Sequence, residues 1–370
     1  MVTTAGLLLI YDSIVFMSSK NKRNCKFQLN QLNLKISPIQ FVMTAKLHYV
    51  FSIAIFLFAF SAIGQNSSWK PLASPKYADD ISKLKLNKSQ VDFFELNSAA
   101  FQNTLLKTAS VSKINTAQET IIYVPSDGGK MQGFTIYEAS VFSPSLAAKF
   151  PDIKSYVGFS IDNKGTRLRM SVSPQGVQTM ITYLDKPRVY MQPLQQASNE
   201  YVVYTKADKD LLSDPFICNT IDELNSLNNK TADTKIDEGG ANDQTLRKFR
   251  IAISTTGEYT AYHGGTVAGA LAGINATLSR VNEVFETDMA VTFELVDATQ
   301  IIYTNASTDP YSDPAAGAAG AWSTELQNTL SSELGATLSQ ANAAYDIGHL
   351  FGGSGGGGNA GCLGCVCRDD

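Results

Sequence analysis

YDIGHLFGGSGGGGNAGCLGCVC, residues 345–367, is the stretch on which the reading of this chain turns. A strand-like run, Tyr345 to Phe351, enters a glycine-rich segment and leaves it through Cys362, Cys365 and Cys367. No Lys-Ser/Thr pair follows the glycines, so this is not a phosphate loop of the Walker kind; a flexible connection is the simpler reading. His349 sits beside Gly348 with neither an acid nor a second His at metal-ligand spacing, which makes it a strand histidine rather than a ligand. The cysteines form C-x-x-C-x-C, one thiolate short of a closed zinc site. In an oxidising compartment, disulfide pairing is their more natural use.

Moving back along the chain, residues 246–344 alternate strands and helices. RKFRIAIS (residues 247–254) places Phe249, Ile251 and Ile253 on one face, as a half-buried strand does. Val267, Leu271, Ile274, Leu278, Val281 and Phe285 recur at steps of four and three. This is the clearest helical periodicity in the sequence. Gly264 and Gly265 precede that helix, and Thr266 can cap it. MAVTFELV and QIIYT read as further strands, residues 304–321 as a loop, and Ser323–Leu334 as a second amphipathic helix. Helices alternating with strands predict a mixed or parallel sheet with helices packed on it.

Residues 207–245 are rich in Asp, Asn, Lys, Gly and Thr and read as a linker. Cys218 stands out within it. Residues 66–206 are β-rich. Two strands flank Asp127-Gly128-Gly129 in TIIYVPSDGGKMQGFTIYEASVF. Three more are separated by Asn163-Lys164-Gly165 and Pro174-Gln175-Gly176, and RVYMQPL and EYVVYTK follow. Val91–Leu106 fits either a short helix or an extended arm. This region holds no His and no paired-carboxylate spacing, hence no catalytic constellation. Arg167 and Arg169 read as a solvated strand face.

The strongest targeting signal begins at Met43. Lys46 supplies a positive start, Phe51–Ile63 an apolar core, and Ser61, Ala62 and Gly64 the small residues of a cleavage site near Gly64 or Gln65. A single-span anchor is the alternative. Residues 43–65 are thus expected to be a signal peptide, and residues 1–42 an extension from a misplaced start. The mature chain is then expected to be secreted, with no stable membrane span. The formal charge of −4, with no dense basic block, gives no electrostatic reason to expect nucleic acid as a partner.

Together, FRIAISTTGEYTAYHGG, the amphipathic helix and YDIGHLFGGSGGGGNAGCLGCVC resemble the reprolysin-like zinc metallopeptidases of the metzincin clan, the secreted bacterial members above all. The resemblance runs from about Leu246 to Cys367. It implies an α+β chain: a β-rich propeptide-like domain (66–206), a linker (207–245) and the N-terminal part of an α/β catalytic domain (246–370), with a mixed sheet and two packed helices. It further implies that Gly361, Cys362, Leu363, Gly364, Cys365 and Val366 form the edge strand beside the substrate cleft, offering main-chain groups to an extended protein or peptide substrate. An ordinary surface strand is the alternative. Cys218 is implied as a latency thiol, against a disulfide or a buried free thiol.

The family's defining motif is H-E-x-x-H-x-x-G-x-x-H, whose histidines hold zinc and whose Glu activates the bound water. This sequence has three histidines, His48, His263 and His349, and none lies in that motif. No metal ligand or catalytic acid carries over, so the full-length family's zinc has no family-type site here. The expectation is a fragment of a secreted metalloendopeptidase that stops before its zinc helix and is inactive as written. Faces such as Val267, Ile274 and Val281 are expected to lack full cover. The alternative is a secreted, non-enzymatic β-rich binding protein.

Overall fold

Two short strands, β1 (Trp69–Pro71) and β2 (Asp92–Leu96), pair antiparallel at the start of the ordered core. This computed structural model describes residues 68–77, 81, 84, 86–87, 91–116, 118–205, 217–218, 244–353 and 357–358. Residues 1–42, expected as an extension, residues 43–65, expected as a signal peptide, and the cysteines after residue 358 lie outside them. Helix α1 (Ser98–Leu105) follows β2, capped by the Asn97 side chain, which accepts from the Ala100 N–H. The stretch read as helix or arm is therefore a strand followed by a helix.

Strands β3 (Thr120–Pro125) and β4 (Met131–Glu138) flank the Asp127-Gly128-Gly129 turn, where both glycines take positive φ. TIYEASVF, which reads as one strand, breaks after Glu138. Val141 to Ser143 departs from the sheet and leads into α2 (Pro144–Lys149). Strands β5 (Lys154–Ser160), β6 (Arg167–Ser173), β7 (Gly176–Thr182), β8 (Val189–Pro193) and β9 (Glu200–Thr205) then pair as successive antiparallel neighbours. The result is a nine-stranded sheet, ordered β1-β2-β9-β8-β7-β6-β5-β4-β3. The β3–β4 turn returns to β2, where a side chain at Gly129 would meet Asp92, so the sheet curls over its own core. Phe94, Phe134, Leu168, Met170, Met191 and Tyr201 fill that core.

β10 (Ile217–Cys218) falls within residues 207–245, the stretch expected to be a linker. β11 (Arg247–Thr255), α3 (Gly257–Tyr262), α4 (Val267–Met289), β12 (Val291–Leu295), α5 (Pro314–Ala318), α6 (Ala321–Leu334), α7 (Leu338–Ala344), β13 (Ile347–Phe351) and β14 (Gly357–Gly358) complete the order. β12, β11 and β13 form a parallel sheet with β11 in the centre. Ala252 and Ser254 are buried along with Ile251 and Ile253, so β11 is covered on both faces rather than half-buried. Leu271, Ile274 and Leu278 of α4 pack with Ile251, Ile253 and Leu295. Leu330 of α6, with Leu326 and Leu334, packs with Ala252 and Ile301. The architecture is α+β.

The sequence reading differs at three places here. QIIYT is not a ladder strand but a tight helical turn, Thr299–Ile301, followed by a single bridge from Ile302 to Thr255. Residues 304–321 contain α5, started by Asp313, whose side chain accepts from the Ala315 and Ala316 N–H groups. Helix α7 carries a capping box between Thr337 and Gln340, a local signal separate from apolar periodicity. Among the described residues, no helix is long and apolar enough to cross a membrane.

Candidate functional site

The site expected from the sequence lies where β13 leads into the glycine-rich segment. The approach to β13 is fixed by charge. Arg250 Nη2 donates to Asp346 Oδ1 at 2.7 Å and its backbone N–H to Oδ2 at 2.7 Å. Its guanidinium also donates to the carbonyls of Asn342 and Ala343, both at 2.6 Å, at the C-terminal end of α7. A cation there complements the helix dipole while it aligns β13 against β11. The hydrogen-bonded guanidinium holds the Asp346 carboxyl below the usual aspartate range.

The exit from β13 is packed, not loose. A Cβ on Gly352 would stand 2.3 Å from the Trp322 ring, so only glycine lets the backbone pass. The Gly353 N–H donates to Thr256 Oγ1, which also caps α3. The first two glycines of the run thus have structural reasons that composition does not reveal. Beyond them, β14 pairs in parallel with β10, Ile217 opposite Gly357 and Cys218 opposite Gly358. β10, which carries Cys218, therefore runs beside the residues that precede Gly361–Val366 in sequence. Those six residues lie outside the described ones.

The two described histidines, His263 and His349, sit in different elements. His349 is an exposed residue of β13, with its ring 5.0 Å from that of Phe351. His263 ends α3 and packs its imidazole on α4 at Gly273, where a Cβ would lie 2.5 Å from the ring. Its ring also contacts Tyr259 and Tyr262. Among the described residues, no three His, Cys, Asp or Glu stand together as a metal-binding group.

His263 supports two predictions. Gly273→Ala gains about 1 kcal/mol of helix propensity. It also drives a methyl into the imidazole, and the net expectation is a loss of about 1–3 kcal/mol in chemical denaturation. Burial pushes the His263 pKa down. The unfolded chain, with a His pKa of about 6.5, then binds a proton before the folded chain does. Stability is full above that pH and falls as pH drops through it toward the folded pKa. His263→Gln should flatten this fall in denaturant midpoints taken from about pH 5 to 8; an unchanged slope would exclude the assignment.

The second feature is one the sequence reading missed. Arg167 and Arg169 are not a solvated face. Arg169 is 5% exposed, and its Nε donates to Glu283 Oε2 at 2.6 Å. Its Nη2 donates to Glu286. Arg167 Nε stands 3.1 Å from Glu283 Oε1. Nearby, Asn275 Nδ2 donates to Ser171 Oγ at 2.7 Å and to the Lys154 carbonyl. Arg280 bonds Gln178 and lies over the Tyr190 ring. The outer face of β5–β7 is thus seated on α4, which is buried on its polar side as well as its apolar one. Of the helix positions expected to lack cover, Ile274 is fully buried, whereas Val267 and Val281 are only partly so. The available signal was the matched spacing, two Arg two apart on a strand and two Glu three apart on a helix.

Residues 245–370 match the family model described as metallo-peptidase family M12B, reprolysin-like. No curated protein matches the chain. The match supports a metallopeptidase, hence hydrolase, reading for that region; the family is zinc-dependent in general and acts on proteins.

Proposed function

We propose that residues 246–370 are the N-terminal part of the catalytic domain of a secreted, zinc-dependent metalloendopeptidase, and that residues 66–206 are its proregion. One observation carries this reading. The stretch that matches the peptidase family folds as a parallel β12-β11-β13 sheet with α4 between its first two strands in sequence. The supposed cleft edge, Gly361–Val366, would receive a substrate peptide by strand addition, with main-chain hydrogen bonds supplying affinity. Zinc supplies the water-activating chemistry in the family. This sequence contains no H-E-x-x-H run, and by itself the chain is expected not to hydrolyse peptides.

The linker takes a regulatory role in the same reading. β10 runs along β14, and this supports a linker laid beside the substrate edge, with Cys218 as its latency thiol. Cys218→Ser, in a chain that carries the zinc-binding segment, should release basal peptide hydrolysis; unchanged latency would exclude the thiol. The test of the reading as a whole is the nucleotide sequence past the Asp370 codon, in all three frames. An H-E-x-x-H run within a few dozen codons is expected. Sequence without one would overturn the catalytic assignment and leave a β-rich binding protein as the better account.

A further inference from the structure

We propose that the β-rich module is a strand donor: residues 139–153 complete the sheet and core of the second region, and the module stays bound there when the covalent linker is cut. This inference does not depend on peptidase activity. It begins with the outer edge of β12. In a parallel sheet, alternate residues of an edge strand point their N–H and C=O groups away from the neighbour. Val296 donates to the Ile251 carbonyl, so Phe293 and Leu295 face outward.

The Phe293 and Leu295 pairs are satisfied, from two directions. The Asn282 side chain accepts from the Phe293 N–H and donates to its C=O, each at 2.9 Å. The Leu295 N–H donates to the Val141 carbonyl at 2.7 Å, and the Ser143 N–H donates to the Leu295 carbonyl at 2.9 Å. Phe142 and Leu295 thus form a parallel bridge. The excursion between β4 and β5 acts as a further strand on the β12 edge, which would otherwise offer unpaired backbone to any passing chain.

The side chains of the excursion follow its backbone. Val141, Phe142, Leu146 and Ile153 are 2%, 3%, 0% and 6% exposed. They join the core of Ile251, Ile253, Leu271, Ile274 and Leu278, and none belongs to the core inside the curled sheet. Lys149 at the end of α2 pairs with Asp297 just beyond β12, at 2.8 Å. A loop that only connected β4 to β5 would have no reason to bury four apolar residues in the other region. The Arg169–Glu283 seam supplies a second contact alongside this one. Cutting the linker removes the tether's effective concentration, on the order of millimolar for short flexible linkers, but none of these contacts.

The test starts from the full chain with a site-specific protease site placed within residues 219–243. After cleavage the two fragments are run together by gel filtration at micromolar concentration. Co-elution as a one-to-one complex is expected; separate elution, or aggregation of the second fragment beside a free module, overturns the proposal. Ser143→Pro isolates the donated strand. Ser143 already has φ −57° and ψ 154°, which proline accepts, and the change removes the N–H that reaches Leu295 together with the exposed hydroxyl that meets Ser145 Oγ. Ser143→Ala keeps that N–H.

In the cut complex, Ser143→Pro should weaken association by roughly tenfold or more, and Ser143→Ala should leave it unchanged. Equal affinity for the two variants would rule out strand donation. Should Ser143→Pro fail to fold, hydrogen exchange at the Leu295 amide of the unsubstituted cut complex decides the matter. Protection is expected, since Val141 accepts from that amide, and fast exchange overturns the proposal.

Discussion

Arg169→Met is expected to lower the unfolding free energy of the full chain by about 3–5 kcal/mol. The reason is what it leaves behind. Glu283 is 2% exposed, and its Oε2 accepts from Arg169. With Arg169 gone, two carboxylates, Glu283 and Glu286, face one remaining guanidinium, that of Arg167. A buried charge without its partner has lost its water and gained too little in return. Arg169→Met combined with Glu283→Leu removes one charge of each sign and leaves Arg167 with Glu286. That double variant should recover most of the loss, because a buried pair replaced by apolar side chains is often close to neutral. Guanidinium unfolding of the wild type and both variants at neutral pH gives the comparison. A single variant within about 0.5 kcal/mol of wild type would mean that the sheet does not seat on α4 in solution.

Asn282→Leu is expected to cost about 2–5 kcal/mol, and by a different route. Asn282 is 2% exposed and has one job, to close the Phe293 step of the β12 edge with both halves of its amide. Leucine fills a similar volume but leaves a buried N–H and a buried C=O unpaired, each worth about 1–3 kcal/mol. Asn282→Asp separates the two bonds. The carboxylate can still accept from the Phe293 N–H, but it meets the carbonyl with a lone pair instead of a donor. It should be no more stable than the leucine variant near neutral pH and should improve relative to it on acidification, as the protonated acid regains a donor. Thermal or denaturant midpoints across that range measure this. A leucine variant with wild-type stability would show that water or another group closes the edge.

Both predictions concern contacts invisible to a reading that runs along the chain. The long helix illustrates the limit. Its apolar stripe, Leu271, Ile274 and Leu278, was legible because burial against one sheet repeats with the helical period. Its second face was not. Asn275, Ser279 and Glu283 are polar and look solvated, yet all three are buried because another sheet lies on them. The same blindness turned Arg167 and Arg169 into an exposed strand face. TIYEASVF shows the complementary error. Alternation continues through Val141 and Phe142, but the later residues serve a different sheet from the earlier ones. Of the expected functional residues, Cys218 is placed only through its backbone pairing with Gly358.

By itself the sequence determined what short-range physics controls. The Asp127-Gly128-Gly129 turn, the Thr266 cap, the strands from Thr120 to Thr205 and the helix from Val267 each follow from residues within a few positions of one another. Only the tertiary structure decided which surfaces meet. Arg169 and Glu283 are 114 positions apart, and Asn275 and Ser171 are 104 apart. Nothing local distinguishes a charge that faces water from one that faces its partner across a helix and a sheet. That choice rests on burial, and burial belongs to the assembled fold.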